Sequence, residues 1–146
     1  MNRHQFLKQV AFTCLAPSIL ASVLQGCAAQ TYFAKAAFNN NIIALPKSEF
    51  NYLDNGVPKQ RAYVLLKNEG YQFPICVFKI NENTYSAILM ECTHSSCELH
   101  NQGNYLLCPC HGSEFSNLGV VQNPPAEQDL KIFKTQIDTN IIYVQL

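Results

Sequence analysis

The sequence predicts an all-β domain, with two short loops rich in metal-ligating side chains inserted between its strands as a small subdomain. Three observations predict it. From residue 42 onward, short apolar or alternating runs recur, each closed by Asn, Asp, Gly or Pro. No segment after residue 46 sustains a helical period. Between two groups of these runs lie CTHSSC (92–97) and CPCHGSEF (108–115), short Gly- and Ser-containing stretches with few apolar residues to pack.

The elements follow in order. Ile42–Leu45 is a short strand stopped by Pro46. Arg61–Lys67, Phe73–Ile80 and Thr84–Glu91 are longer strands, separated by Asn68-Glu69-Gly70 and Asn81-Glu82-Asn83. After the two loops come Leu118–Val121, Leu130–Ile137 and Ile141–Val144, with Asp138-Thr139-Asn140 turning the last pair. The predicted domain runs from 42 to 146 and has single-domain length.

The N-terminus reads as an export signal over 1–26. Arg3 and Lys8 charge its start, and Val10 to Leu24 forms an apolar run of fifteen residues. That run is shorter than the roughly 20 residues a spanning helix needs and matches a signal core. Pro17 interrupts it. Leu24-Gln25-Gly26-Cys27 resembles a bacterial lipobox, which predicts cleavage before Cys27 and lipid on its sulfur. A standard signal cleaved nearby is the alternative. Two acyl chains on Cys27 would suffice for stable anchoring. Residues 27–41, ending in three Asn, read as a tether.

The full chain balances ten basic against ten acidic residues. Loss of Arg3 and Lys8 with the signal leaves eight against ten, a net charge of −2. No basic stripe is present, so a nucleic-acid partner is excluded. Glu91, Glu98 and Glu114 flank the loops. They are either ordinary solvated carboxylates or an acidic rim that attracts a basic partner. His100 reads as a surface residue.

Cys92, His94, Cys108 and His111 form the pattern C-x-H … C-x-x-H. Thiolate sulfur and neutral imidazole must reach one point to bind metal. Each short spacing lets one loop offer two ligands, and Asn101 to Asn104 supply a turn that returns the second pair to the first. A structural Cys2His2 zinc site is one reading. Zinc sites usually pair like ligands within a turn, whereas each loop here carries one Cys and one His. The set also fits a 2Fe–2S centre with two Cys on one iron and two His on the other.

At these residues the chain resembles the Rieske iron–sulfur family, closely over Cys92–Phe115 and more loosely to about Leu130. The resemblance implies antiparallel sheets, in a sandwich or barrel base, capped by the two loops. It implies that Cys92 and Cys108 hold the inner iron and His94 and His111 the outer one. It also implies a disulfide between Cys97 and Cys110, which stand where one branch of the family carries its inter-loop bridge. A disulfide agrees with an oxidising compartment. Ser113 falls where high-potential members have a Ser bonded to a cluster sulfur. Phe115 stands where those members have a Tyr, so one donor is missing and a potential below the top of the family range is expected. Asn123 to Ala126 falls at a Pro-rich loop that flanks the cluster in the family.

Cysteine use is then complete. Cys14 leaves with the signal, Cys27 is acylated, four serve the loops, and Cys76 is a buried core thiol. No nucleophile or acid–base pair is evident, so the resemblance implies one-electron transfer rather than stand-alone catalysis. Expected partners are a cytochrome or an oxidoreductase subunit, with the membrane reached through lipid. A subunit of a quinol–cytochrome reductase, which contacts quinol, and an arsenite-oxidase-type small subunit are the alternatives. A zinc-stabilised binding module is a third. Residues 2–8 also resemble a twin-arginine signal with His4 in place of the second Arg, the route by which a folded, cluster-loaded chain would be exported.

Overall fold

The computed structural model describes residues 31–146. The expected signal, Cys27 and residues 28–30 lie outside the described residues. The described strands are β1 (Ala37–Asn39), β2 (Ile42–Pro46), β3 (Asn51–Asp54), β4 (Val57–Gln60), β5 (Tyr63–Leu66), β6 (Ile75–Asn81) and β7 (Thr84–Leu89). After them come β8 (His100–Asn101), β9 (Tyr105–Leu107), β10 (Glu114–Ser116), β11 (Val121–Asn123), β12 (Ile132–Ile137) and β13 (Ile141–Gln145). A 3-10 turn, Lys47–Phe50, follows Pro46.

Seven strands form one antiparallel sheet in the order β1-β2-β13-β12-β7-β6-β5. A second sheet, β11-β10-β9-β8, carries the two ligand-bearing loops, and β3–β4 is a separate hairpin. The predicted all-β architecture with an inserted loop subdomain is therefore the observed one.

Period-two alternation positions this subdomain. On β5–β7, Val64, Leu66, Ile75, Val77, Ala87 and Leu89 enter one core, with Ile43, Leu45, Phe133, Ile142 and Val144. The alternate residues Leu65, Cys76, Phe78 and Ile88 enter a second core, with Leu99, Leu106, Phe115, Cys92 and Cys108. These strands are buried on both faces, and for that reason they read as nearly continuous apolar runs. The second core is thus shared between the base sheet and the loops. Cys76 lies in it, fully buried. Burial raises its thiol pKa well above the ordinary range, against a smaller opposing bond from Asn101. The core-thiol reading holds.

Several boundaries differ from expectation. The strand expected over Phe73–Ile80 starts at Ile75, since Pro74 has no N–H to give the ladder. The one expected over Leu118–Val121 lies instead at Val121–Asn123. Leu118 and Val120 donate their N–H groups to Ser116 Oγ, each at 3.2 Å, and Gly119 turns the chain at φ +79°.

The tether reading of 27–41 requires correction over its described part. Tyr32 and Ala34 exchange backbone hydrogen bonds with Leu65 on the edge of β5, at 3.0 and 2.8 Å. Three residues on, Ala37–Asn39 pairs with β2. The run of Asn is a hairpin turn, with Asn40 at φ 48°, a conformation Asn tolerates better than most residues. Residues 34 and 37 can be at most about 11 Å apart. One continuous strap therefore joins the β5 and β2 sides of the sheet, which must curl to let it do so.

Candidate metal centre

The two ligand-bearing loops are built alike. In the first, Cys92 N–H donates to Cys97 O and Ser96 N–H to Cys92 O, both at 2.9 Å. In the second, Cys108 N–H donates to Ser113 O at 2.8 Å and Gly112 N–H to Cys108 O at 2.9 Å. Each loop thus closes with the same two bonds, from residue i to i+5 and from i+4 back to i. The residue at i+4 has positive φ in both: 49° at Ser96 and 80° at Gly112. The flanking residues also match. Glu91 bridges Glu98, and Leu107 pairs with Glu114.

This local design sorts the side chains by depth. The first residue of each loop, Cys92 or Cys108, is the anchor and is buried in the second core, 1% and 0% exposed. His94 and His111 stand on the outer turns and are exposed. Their rings meet edge-on, with centroids 4.9 Å apart and an interplanar angle of 90°. The structure therefore brings the two cysteines together below and the two imidazoles together above. Burial pushes the Cys108 thiol up, but the Cys92 thiol, the N–H groups of Cys110 and His111, and Ser95 hold it below its ordinary pKa. A cradle of donors aimed at sulfur suits thiolate ligation.

Cys97 and Cys110 form a disulfide across the loops, with Cα atoms 6.6 Å apart. The sulfurs of Cys97, Cys108 and Cys110 lie within 4.8 Å of one another. Two of these are spent in the bridge, so Cys108 is the sulfur of this group that remains to bind metal.

Ser113 is fully buried, and its Oγ accepts the Ala126 N–H at 3.0 Å. The hydroxyl proton remains available to donate. Phe115 is fully buried in the second core. The Pro-rich segment docks against both loops. Ala126 meets Ser113, Asn123 Nδ2 donates to Glu114 Oε2 at 2.8 Å, and Thr93 Oγ1 donates to Gln128 O at 2.7 Å. Thr93 was not singled out from the sequence. Its partner lies 35 residues away, and no local pattern reports such a contact. Glu91 is half-buried and Glu98 exposed, as is His100 at the start of β8.

Comparison with known proteins assigns the chain to a family. The family model for the Rieske [2Fe-2S] domain matches residues 49–134. The cytochrome b6-f complex iron-sulfur subunit 1 of Nicotiana tabacum is 30% identical over 115 residues, covering 72% of this chain and 44% of its own. The corresponding subunit of Trichodesmium erythraeum is 29% identical over 123 residues, covering 77% and 61%. The chain thus spans about half the length of these curated relatives. Among solved structures, the cyanobacterial plasma membrane Rieske protein PetC3 from Synechocystis PCC 6803 is 31% identical. That match has a TM-score of 0.52 and covers 58% of this chain and 87% of that one. The family model spans more than half the sequence, so the chain belongs to the Rieske [2Fe-2S] domain family, and its cofactor is a Rieske 2Fe–2S cluster rather than zinc.

Proposed function

We propose that this protein is an exported, lipid-anchored electron carrier in which Cys92 and Cys108 ligate one iron and His94 and His111 the other. The observation that supports this most is the matched design of the two loops, each with a buried Cys and an exposed His. The cluster, when bound, supplies one-electron chemistry. The chain's own residues do the rest. Cys92 and Cys108 fix the sulfur side inside the second core, where water is excluded. His94 and His111 face outward, where a partner can approach. The disulfide limits how far the loops can separate. Ser113, whose hydroxyl proton is unspent, would be free to donate to a sulfur of the bound cluster. Reduced, more negative states gain from such a donor.

The test is spectroscopic. The purified protein should be red-brown and give a Rieske-type EPR signal on reduction. His94→Cys or Cys108→Ser should abolish that signal. A parent protein that binds zinc and no iron would sink the ligand assignment.

The anchoring reading rests on the apolar run and on Cys27, and among the described residues no helix is long and apolar enough to cross a membrane. Metabolic labelling with a fatty-acid analogue should mark the parent and not Cys27→Ser. A folded chain carrying its cluster needs a route that passes folded proteins, so blocking the twin-arginine translocon should remove the mature protein.

For partners, the named relatives are subunits of cytochrome b6-f complexes, which favours a cytochrome as electron acceptor and a quinol-oxidising setting for the exposed imidazoles. Pull-down of the anchored protein from native membranes should recover a cytochrome. Recovery of a molybdenum enzyme instead would favour the arsenite-oxidase-type alternative.

A further inference from the structure

The β3–β4 hairpin stands apart from the metal centre. It pairs with no other strand among the described residues. Leu53 is 72% exposed and Val57 57%. They flank the Asn55-Gly56 tip, where φ is 51° and 83°, a tight turn that Gly and Asn allow. A two-stranded hairpin is marginal in water, and exposed aliphatic side chains at its tip do not help it there. Leu53 pairs with Pro58 and Val57 with Asp54, so the two point to opposite faces of the ribbon and make an apolar end to the hairpin rather than an apolar face.

The hairpin lies beside the point where the chain enters the described domain. The Tyr32 hydroxyl and the Lys35 N–H both donate to Glu49 Oε2 at 2.8 Å, tying the first described residues to the 3-10 turn before β3. The Arg61 guanidinium lies over the Tyr32 ring at 3.9 Å and the Tyr52 ring at 4.6 Å, and it donates to Asn51 O at 3.0 Å. The incoming chain is therefore clamped to the base of the hairpin. Cys27 precedes Tyr32 by five residues, a reach of at most about 18 Å. The four residues of each hairpin strand span about 13 Å. A lipid surface holding acyl chains on Cys27 is within reach of the tip. Asp54, the carboxylate nearest the tip, is paired with Lys59. The hairpin thus carries no net charge to oppose that contact.

We infer that the β3–β4 hairpin is a second membrane contact, with Leu53 and Val57 entering the boundary between headgroups and acyl chains. Behind them lie the Asp54–Lys59 pair and Arg61, clamped over Tyr32 and Tyr52, polar groups suited to the headgroup level. The inference rests on the anchoring proposed at Cys27. It gives the domain a fixed posture on the membrane rather than a free swing about the lipid.

The chain has no Trp, so Leu53→Trp installs a single reporter. The full protein, purified from native membranes, is bound to phosphatidylethanolamine–phosphatidylglycerol vesicles with brominated acyl chains. Emission from Leu53→Trp should shift to the blue and be quenched. Ile132→Trp, at another exposed apolar position, should keep water-like, unquenched emission. Unquenched Leu53→Trp on vesicle-bound protein overturns the inference while leaving the anchor in place, as does equal quenching at both positions. If Leu53→Trp is unquenched and Leu53→Asp slows reduction by a protein partner, the hairpin is a protein contact, and the inference falls. Absence of lipid on Cys27 by mass spectrometry would refute the anchor separately. Tethering the same variants through an N-terminal histidine tag to nickel-chelating lipids then decides the hairpin by the same quenching.

Discussion

At residue scale, two buried side chains beside the loops set testable limits. Ser113 accepts from Ala126 N–H and has one proton left to give. Ser113→Ala should lower the reduction potential by voltammetry. It should also cost about 1–3 kcal/mol in urea unfolding, because a buried N–H loses its partner. Phe115 was legible in the sequence as a missing donor, and the structure adds that it is a core residue. Phe115→Tyr should raise the potential. An unchanged or lower value would show that the hydroxyl does not reach the sulfur side. Phe115→Ala should cost about 3–5 kcal/mol through the cavity it leaves.

At the scale of elements, the loops were legible as ligand carriers, but their shared hydrogen-bond design was not. C-x-H and C-x-x-H differ in spacing, and only the backbone bonds reveal that both loops place their left-handed residue at the same position. Gly112 meets this demand without a Cβ and Ser96 does not. Gly112→Ala should therefore cost about 1–2 kcal/mol, whereas Ser96→Gly should be neutral or stabilising, both read from thermal unfolding. The disulfide joins residues 13 apart in sequence. Cys97→Ser with Cys110→Ser should cost about 2–4 kcal/mol and speed loss of the cluster's absorbance.

The last hairpin gives a pH prediction. The N–H groups of Ile141 and Asn140 and the Tyr143 hydroxyl hold the Asp138 carboxyl below its ordinary pKa. Its stabilising contribution is full above the unfolded value of about 3.9 and is lost as pH falls through the lower folded value. Asp138→Ala should thus be destabilising at pH 7, with the difference from parent shrinking below pH 4 in unfolding titrations.

At the scale of the whole molecule, charge is segregated. Between Lys79 and Lys131 the sequence has six acidic residues and neither Lys nor Arg. This stretch contains both ligand-bearing loops and the Pro-rich segment docked on them. Electron exchange with a basic partner should be fast at low salt and slow as ionic strength rises, measured by stopped-flow. Rates that rise with salt would point to an acidic partner. The curled base was legible only in part. Seven expected strands have observed counterparts, shifted by Pro74 and by the Ser116 turn. The strap 32–39, the β3–β4 hairpin and the short strands β8–β10 were not expected.

The reason for that division is physical. Strand runs, turns and ligand spacings are written within a few residues, so the sequence alone determined an all-β chain, the paired Cys–His loops and a buried Cys76. The sheet order, the strap that bridges two edges, the split of β5–β7 between two cores and the docking of Thr93 and Ser113 on a distant Pro-rich segment depend on contacts 13 to 35 residues apart or more. Such contacts leave no local period in the chain. They arise only when both faces of one sheet find apolar cover, and that is what seats Cys92 and Cys108 at the buried side of the centre.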